Sequence, residues 1–360
     1  MKNNNKKQKY TNTSNTVKVN SYSSFGSLSS KVTQTYIYKG TKNKTKFPEF
    51  VKLCKATQKE LKKILPKKLM EAGYTDVISS DGFIYANGNI PILLTAHMDT
   101  VHKEPVKDFY EYVDENGNHI ISSPQGIGGD DRCGIYMILE IIKEFKPSIL
   151  FCEDEEIGGV GSDKFCKTEF INELADLKFL VELDRANGND AVFYECDNPE
   201  FTEFIENATS YKEEWGSFSD ISTLAPACGV AAVNLSCGYY HAHTLQEEVN
   251  VEEMLHTIEI VKKLLTVESK QFEYIEANFG WKDEWDCYNY GYGYGGYAKK
   301  PRSSCSYEMV YLYVMYIDNQ GREQDVYSEG TTETEAWINF FFDNPDICFN
   351  QVVDHDFDYV

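Results

Sequence analysis

Four short, almost wholly apolar runs set the terms on which this chain can fold: Ile90–Ala96, Ile149–Cys152, Phe179–Leu183 and Val230–Leu235. Each is strand-sized, and the nearly all-apolar Ile90–Ala96 has the pattern of a central strand buried on both faces of a parallel sheet. Helical patterns fall between and after them, at Gly134–Phe145, Asp163–Leu174, Pro199–Tyr211 and Val251–Val267. Strands spaced by helices predict an α/β fold, a three-layer α/β/α sandwich with a mostly parallel central sheet. Upstream, Phe50, Leu53, Leu61, Ile64, Leu65 and Leu69 recur at helical spacing and predict one helix from Phe47 to Gly73. Short strands are expected at Thr75–Ser79 and Phe83–Ala86, and a polar hairpin over 108–123 turning at Glu115-Asn116-Gly117.

The segments just past these runs are polar and ionisable. AHMDTVH (96–102), CEDEEIGGVGS (152–162) and SCGYYHAHTLQEEV (236–249) begin where an apolar strand ends, FLVELDRANGND (179–190) runs on past its strand from Asp184, and GIGGDDRCG (126–134) enters a helix. Ligand sites in open α/β sheets gather at the carboxyl ends of strands, so these motifs are expected to meet. In chain order they supply His97, Asp130, Glu156, Asp184 and His243. Two histidines and three carboxylates are what two divalent cations sharing one bridging carboxylate require, so the set reads as a two-metal hydrolase.

Taken singly, each motif has a plainer reading. These are a loop His-x-Asp, an Asp pair at a helix start where Asp is favoured anyway, an acidic loop in a chain with 57 acids, and a structural histidine. The GIGG turn lacks the lysine of a phosphate loop and the spacing of a dinucleotide site. Asp99 follows His97 by two residues, so in an extended segment both point the same way. It suits the partner that orients a metal-bound imidazole. Glu155 beside Glu156 lets one acid hold metal while the other handles protons. Glu182 is expected to face elsewhere. Ser219 and Asp220 in GSFSDI (216–221) are candidate cleft residues. Glu153 or Asp220 is a candidate for binding a substrate amine, and Arg132 or Arg185 a substrate carboxylate.

The 360 residues are 42% apolar and 26% charged, as in a globular protein, and hold no run long enough to span a membrane. Ten cysteines without a paired Cys-x-x-Cys spacing argue against a disulfide scaffold or a cysteine zinc site. With no apolar leader at the N-terminus, a cytoplasmic location is expected. Net charge is −22, yet residues 1–46 hold ten lysines and no acid, which leaves −32 on the remainder. Such a body disfavours nucleic acid. Residues 1–45 read as a disordered basic arm, the one part with a chance of touching an anionic polymer, although KVTQTYIYKG (31–40) has strand character. Residues 46–270 form the expected catalytic domain, 271–304 a Tyr/Gly-rich linker, and 305–360 a small ββα appendage with strands at 307–318 and 323–327 and a helix at 332–342.

Together the motifs resemble the zinc exopeptidase superfamily of co-catalytic metallopeptidases, which includes the M28, M42 and M20 peptidase groups. AHMDT is similar to its His-x-Asp motif and GGDDRCG to its bridging-aspartate motif. EDEEIGGVGS is similar to its Glu-Glu motif and HTLQEEV to its closing histidine motif. The resemblance covers about residues 50–268. It implies that His97 and Asp184 bind one metal, Glu156 and His243 the other, and that Asp130 bridges them. It further implies Glu155 as general base and Asp99 as the orienting acid, with His243 preferred to His241 because Thr244 follows. Two Zn2+ ions are implied, with Co2+ or Mn2+ as substitutes, and a peptide substrate cut from one end, as by an aminopeptidase. An acylated amino acid cleaved by a deacylase at the same site is the nearest alternative. A metal-binding but inactive interaction protein is the reading from another class. M20 enzymes insert a lid before the closing histidine, but only 59 positions separate Asp184 from His243; M42 enzymes insert a domain where this chain has Thr100–Gly129. The compact layout is closest to M28, and an oligomer is compatible with all three groups.

Overall fold

The computed structural model describes residues 14–25, 28–277, 310–317, 323–330, 340 and 352–359. It falls into two compact units, residues 1–278 with 286–298, and residues 279–285 with 299–360.

The apolar runs lie side by side in an eight-stranded sheet. Its order is Lys212–Glu213, Asp190–Val192, Ala232–Ser236, Phe179–Arg185, Ile90–His97, Pro147–Cys152, Phe83–Ala86 and Val77–Ser80. The pairings among the four inner strands are parallel. Successive side chains on a strand face opposite ways, and the core divides accordingly. Leu94, Ala96, Ile149, Phe151, Val181, Leu183, Val233 and Leu235 share one apolar cluster with residues of helices Pro48–Cys54, Gln58–Glu71, Gly129–Ile141, Pro199–Thr209 and Val251–Leu264. Leu93, Leu150, Leu180 and Ala232 share the other with residues of Val160–Cys166, Ile171–Leu174 and Ile221–Cys228. This is the three-layer arrangement that the sequence predicts.

The expected helix 47–73 is two helices. Thr57 Oγ1 accepts the Glu60 N–H at 3.3 Å, and Glu60 Oε2 accepts the Thr57 N–H at 2.9 Å. This capping box starts a second helix where the apolar period alone runs on. The hairpin does form, from Tyr110–Val113 and His119–Ser122, but as part of a second sheet. That sheet runs Tyr239–Tyr240, Glu248–Asn250, His119–Ser122, Tyr110–Val113, Thr41–Lys42. It joins the chain after residue 238 to the loop that follows residue 122.

The stretch expected as a disordered arm holds two strands, Ser14–Phe25 and Leu28–Lys39, paired antiparallel. Their Val, Thr and Tyr residues favour strands; lysine and asparagine dilute that signal in composition. The Tyr38 hydroxyl donates to the Leu245 carbonyl at 2.7 Å. Residues 271–277, expected to open a linker, are packed: Phe272 is buried against Phe179, Phe201 and Phe204. The rest of that linker lies outside the described residues.

In the second unit, Val310–Ile317 pairs antiparallel with Glu323–Gly330. A third strand, Val352–Tyr359, lies on the other side of Val310–Ile317. Its four acidic and histidine positions hid it from an apolar pattern. The expected helix 332–342 lies outside the described residues except for Phe340, which is helical and buried. The described cysteines are free. No helix among the described residues is long and apolar enough to cross a membrane.

Candidate metal centre

Strand geometry delivers three of the motifs to one edge. Ile90–His97, Pro147–Cys152 and Phe179–Arg185 are parallel neighbours or share a neighbour, so their carboxyl ends lie together. His97 closes the first strand with no exposed surface. Its Nδ1–H donates to Asp99 Oδ1 at 3.1 Å, which turns Nε2 toward Asp130 Oδ1 at 2.9 Å and Asp184 Oδ1 at 3.4 Å. Asp99 also accepts the backbone N–H groups of Glu155 and Glu156, each at 3.0 Å. One carboxylate therefore sets the imidazole and the Glu-Glu turn together.

Asp130 is the centre of the group. Its Oδ1 faces His97 and its Oδ2 faces His243 Nε2 at 3.1 Å. His243 Nε2 is also 3.1 Å from Glu156 Oε2. Two sets result, His97 with Asp184 and His243 with Glu156, and Asp130 gives one oxygen to each. His241 is exposed and makes neither contact. Asp184 is held in place by Asn234 Oδ1, which accepts its N–H at 2.9 Å, by the Tyr239 hydroxyl on its carbonyl at 2.8 Å, and by Ser219 Oγ, which donates to Oδ2 at 2.9 Å. Glu155 Oε2 lies 4.0 Å from His97 Nε2, at the edge of the same group.

These residues fit a pair of cations. Ligand atoms about 2.0–2.2 Å from a tetrahedral ion sit roughly 3.3–3.6 Å from one another, and the separations here, from 2.9 to 3.4 Å, reach the lower end of that spacing. Glu156 Oε1 is buried without a hydrogen-bond partner, which buried carboxylates rarely tolerate. Asp131 also lies within 4.8 Å of His97 and Asp184. Its oxygens, however, accept the His97 N–H at 3.1 Å and the Gly134 N–H at 2.8 Å. It supports the backbone beneath the ligands.

The electrostatics show the same crowding of carboxylates. Burial, then the Asp130 charge, pushes Asp184 up to about 7. Burial is likewise the main cause that pushes Glu155 up to about 9. Burial opposes ionisation of Asp130, but hydrogen bonds from His243 and His97 outweigh it and hold the carboxyl well below the usual range. Hydrogen bonds to Asp130 and Glu156 push His243 up to about 11. Burial alone would lower His97; the Asp184 charge and the bonds to Asp130, Asp184 and Asp99 raise it well above its ordinary value.

Several expectations change. Glu182, expected to face elsewhere, is wholly buried, and burial with the Asp184 charge raises its carboxyl well above the usual range. Residues two apart on a strand share a face, and Glu182 follows that rule. Asp220 is wholly buried, not on a cleft surface. Glu153 is taken by Lys62 at 2.7 Å and by the Gly82 N–H at 2.9 Å. Arg132 is buried and donates to the carbonyls of Asp99 and Ala56. Arg185 lies 3.5 Å from Asp190. Asp131 and Glu247, both wholly buried against the site, do not stand out in the sequence as site residues. The doubled Asp of GGDDRCG and the Glu four after His243 were the available signals.

Residues 84–234 match the sequence model of Peptidase family M28. None of the curated proteins compared matches the chain. Among solved structures, aminopeptidase PepT from Bacillus cereus ATCC 10987 is 18% identical, with a TM-score of 0.48 over 61% of this chain and 96% of that one. A tripeptidase from Staphylococcus aureus subsp. aureus Mu50 is 15% identical, with a TM-score of 0.47 over 61% and 96%. A TET aminopeptidase from the marine sediment Thaumarchaeota archaeon SCGC AB-539-E09 is 14% identical, with a TM-score of 0.47 over 61% and 97%. The M28 match spans the strands that end in His97 and hold Asp184, and the turn that holds Glu156, so this stretch of the chain is similar to Peptidase family M28.

Proposed function

We propose that the protein is an aminopeptidase that uses two divalent cations, with zinc the best match to a His/carboxylate donor set. The observation that carries this reading is Asp130, whose two oxygens face His97 and His243 at 2.9 and 3.1 Å. His97, Asp184 and Asp130 would hold one ion; His243, Glu156 and Asp130 the other. Bound there, the ions supply Lewis acidity, lowering the pKa of water and polarising a scissile carbonyl.

The remaining chemistry belongs to the chain. Glu155 takes a proton from the attacking water and passes it to the leaving nitrogen. Asp99 keeps His97 protonated at Nδ1, so Nε2 is the ligating atom. Cleavage from the amino end is favoured by charge. The arginines suited to a substrate carboxylate, Arg132 and Arg185, are engaged with backbone carbonyls and with Asp190.

Elemental analysis should find two metal ions per chain, and amino-acid anilides should be cleaved in preference to N-acetyl amino acids. The reverse preference would move the assignment to a deacylase. Glu155→Gln should lower kcat by about 10²–10⁴-fold with both metals retained. Unchanged turnover would remove Glu155 from the mechanism.

A further inference from the structure

One buried carboxylate outside the ligand set touches every loop that carries a histidine ligand. Glu247 has no exposed surface and stands four residues after His243. Its Oε2 accepts the Gly128 N–H at 2.8 Å and His102 Nε2–H at 2.7 Å. Its Oε1 accepts the Asp130 N–H at 3.1 Å. His102 itself lies five residues past His97, in the same AHMDTVH motif. Its ring packs so closely on Gly126 that a Cβ there would sit 2.1 Å from it, so the turn entering Asp130 must begin with glycine. At the other end, the loop closes on itself, with the Glu247 N–H donating to the Thr244 carbonyl at 3.2 Å.

A wholly buried carboxylate persists only where charge or hydrogen-bond donors satisfy it. The three donors to Glu247 come from the 97–102 loop and the 126–130 turn, while Glu247 belongs to the 243–247 loop. One side chain thus ties all three together. The Asp130 N–H is the decisive contact, because fixing that nitrogen fixes the direction in which the bridging carboxylate leaves the backbone.

We propose that Glu247, seated on His102, is a positioning residue for the metal centre: it holds the Asp130 backbone so that the two carboxylate oxygens address His97 and His243. Glu247 touches no reacting atom and acts through Asp130. This rests on the two-metal reading of the site.

The test uses the full-length protein loaded with Co2+, whose visible absorption reports ligand geometry. Wild type, Glu247→Ala, Glu247→Gln and His102→Gln are compared for cobalt stoichiometry, visible spectrum, kcat and KM, and for the melting temperature of the metal-free form. Glu247→Ala is expected to shift the spectrum and weaken cobalt binding by about 10–100-fold, the usual effect of losing a group that orients a ligand. Glu247→Gln, which keeps an acceptor oxygen and the shape, should recover part of both, and His102→Gln should shift the spectrum in the same direction. Should Glu247→Ala not fold, the two glutamine variants carry the comparison. A wild type that takes up two cobalt ions, with variants that melt lower but share its spectrum and affinity, makes Glu247 a structural group and overturns the proposal alone. A wild type that takes up no cobalt overturns the two-metal reading and the proposal with it.

Discussion

At the scale of single residues, the site is organised by carboxylates that bond to backbone as much as to histidine. Asp99 is the clearest case, with His97 Nδ1 on one oxygen and the N–H groups of Glu155 and Glu156 divided between both. Asp99→Ala would release all three at once. We expect the variant to fold, to bind metal about 10–100-fold more weakly, and to lose kcat/KM in parallel; normal metal affinity measured by competition with a chelator would show that Asp99 does not orient the centre. The side chains that face Asp130 were legible in the sequence because each sits in a local pattern, such as His-x-Asp or the histidine before Thr244. Asp131, Glu182 and Glu247 were not. Their partners include backbone N–H groups on segments distant in the chain, and a linear pattern of residue types does not record which carboxylate is spent on backbone.

At the scale of elements, the strands are legible in the sequence wherever burial on both faces removes polar alternation. Boundaries failed where a short polar signal competes with a long apolar period. The break between Pro48–Cys54 and Gln58–Glu71 is of this kind: six apolar positions predict one helix, and Thr57 with Glu60 ends it. Thr57→Ala should cost about 1 kcal/mol of unfolding free energy, read from chemical denaturation. Glu60 adds a pH dependence of defined sign. The backbone N–H of Thr57, then its hydroxyl, hold the Glu60 carboxyl below its ordinary value. The folded pKa is below the unfolded one, so its contribution is present above the unfolded value of roughly 4.3 and fades as pH falls through the folded value. The stability difference between wild type and Glu60→Gln should therefore be largest near neutral pH and shrink below it. A difference that grows on acidification would contradict the capping box. The second sheet escaped the sequence for another reason: its strands are two to four residues long, and their pairing depends on contacts distant in the chain.

At the scale of the whole molecule, charge and division matter most. Ten lysines precede residue 47, and the rest of the chain carries −32. A protonated peptide amine is drawn toward such a body, and the attraction weakens as the Debye length falls from about 10 Å at 0.1 M salt to about 3 Å at 1 M. KM for a free-amine substrate should rise with salt while kcat holds, whereas an N-acetylated substrate should show little change. Equal salt responses would place the attraction elsewhere. The compact unit that includes residues 28–277 contains every ligand candidate. A chain stopped after Ala277 should therefore retain metal stoichiometry and anilide cleavage. Loss of both in a folded truncation would assign residues 278–360 a part in the chemistry.

The bond from the Tyr38 hydroxyl to the Leu245 carbonyl bears on how the protein is handled at the bench. Leu245 lies two residues from His243 and two from Glu247. A polar, lysine-rich leader invites removal in a shortened expression clone. A clone begun at residue 46 would keep every ligand and every strand of the large sheet, yet free one tether of the loop that carries the more exposed histidine. Weak activity in such a clone would then report the cut, not the enzyme.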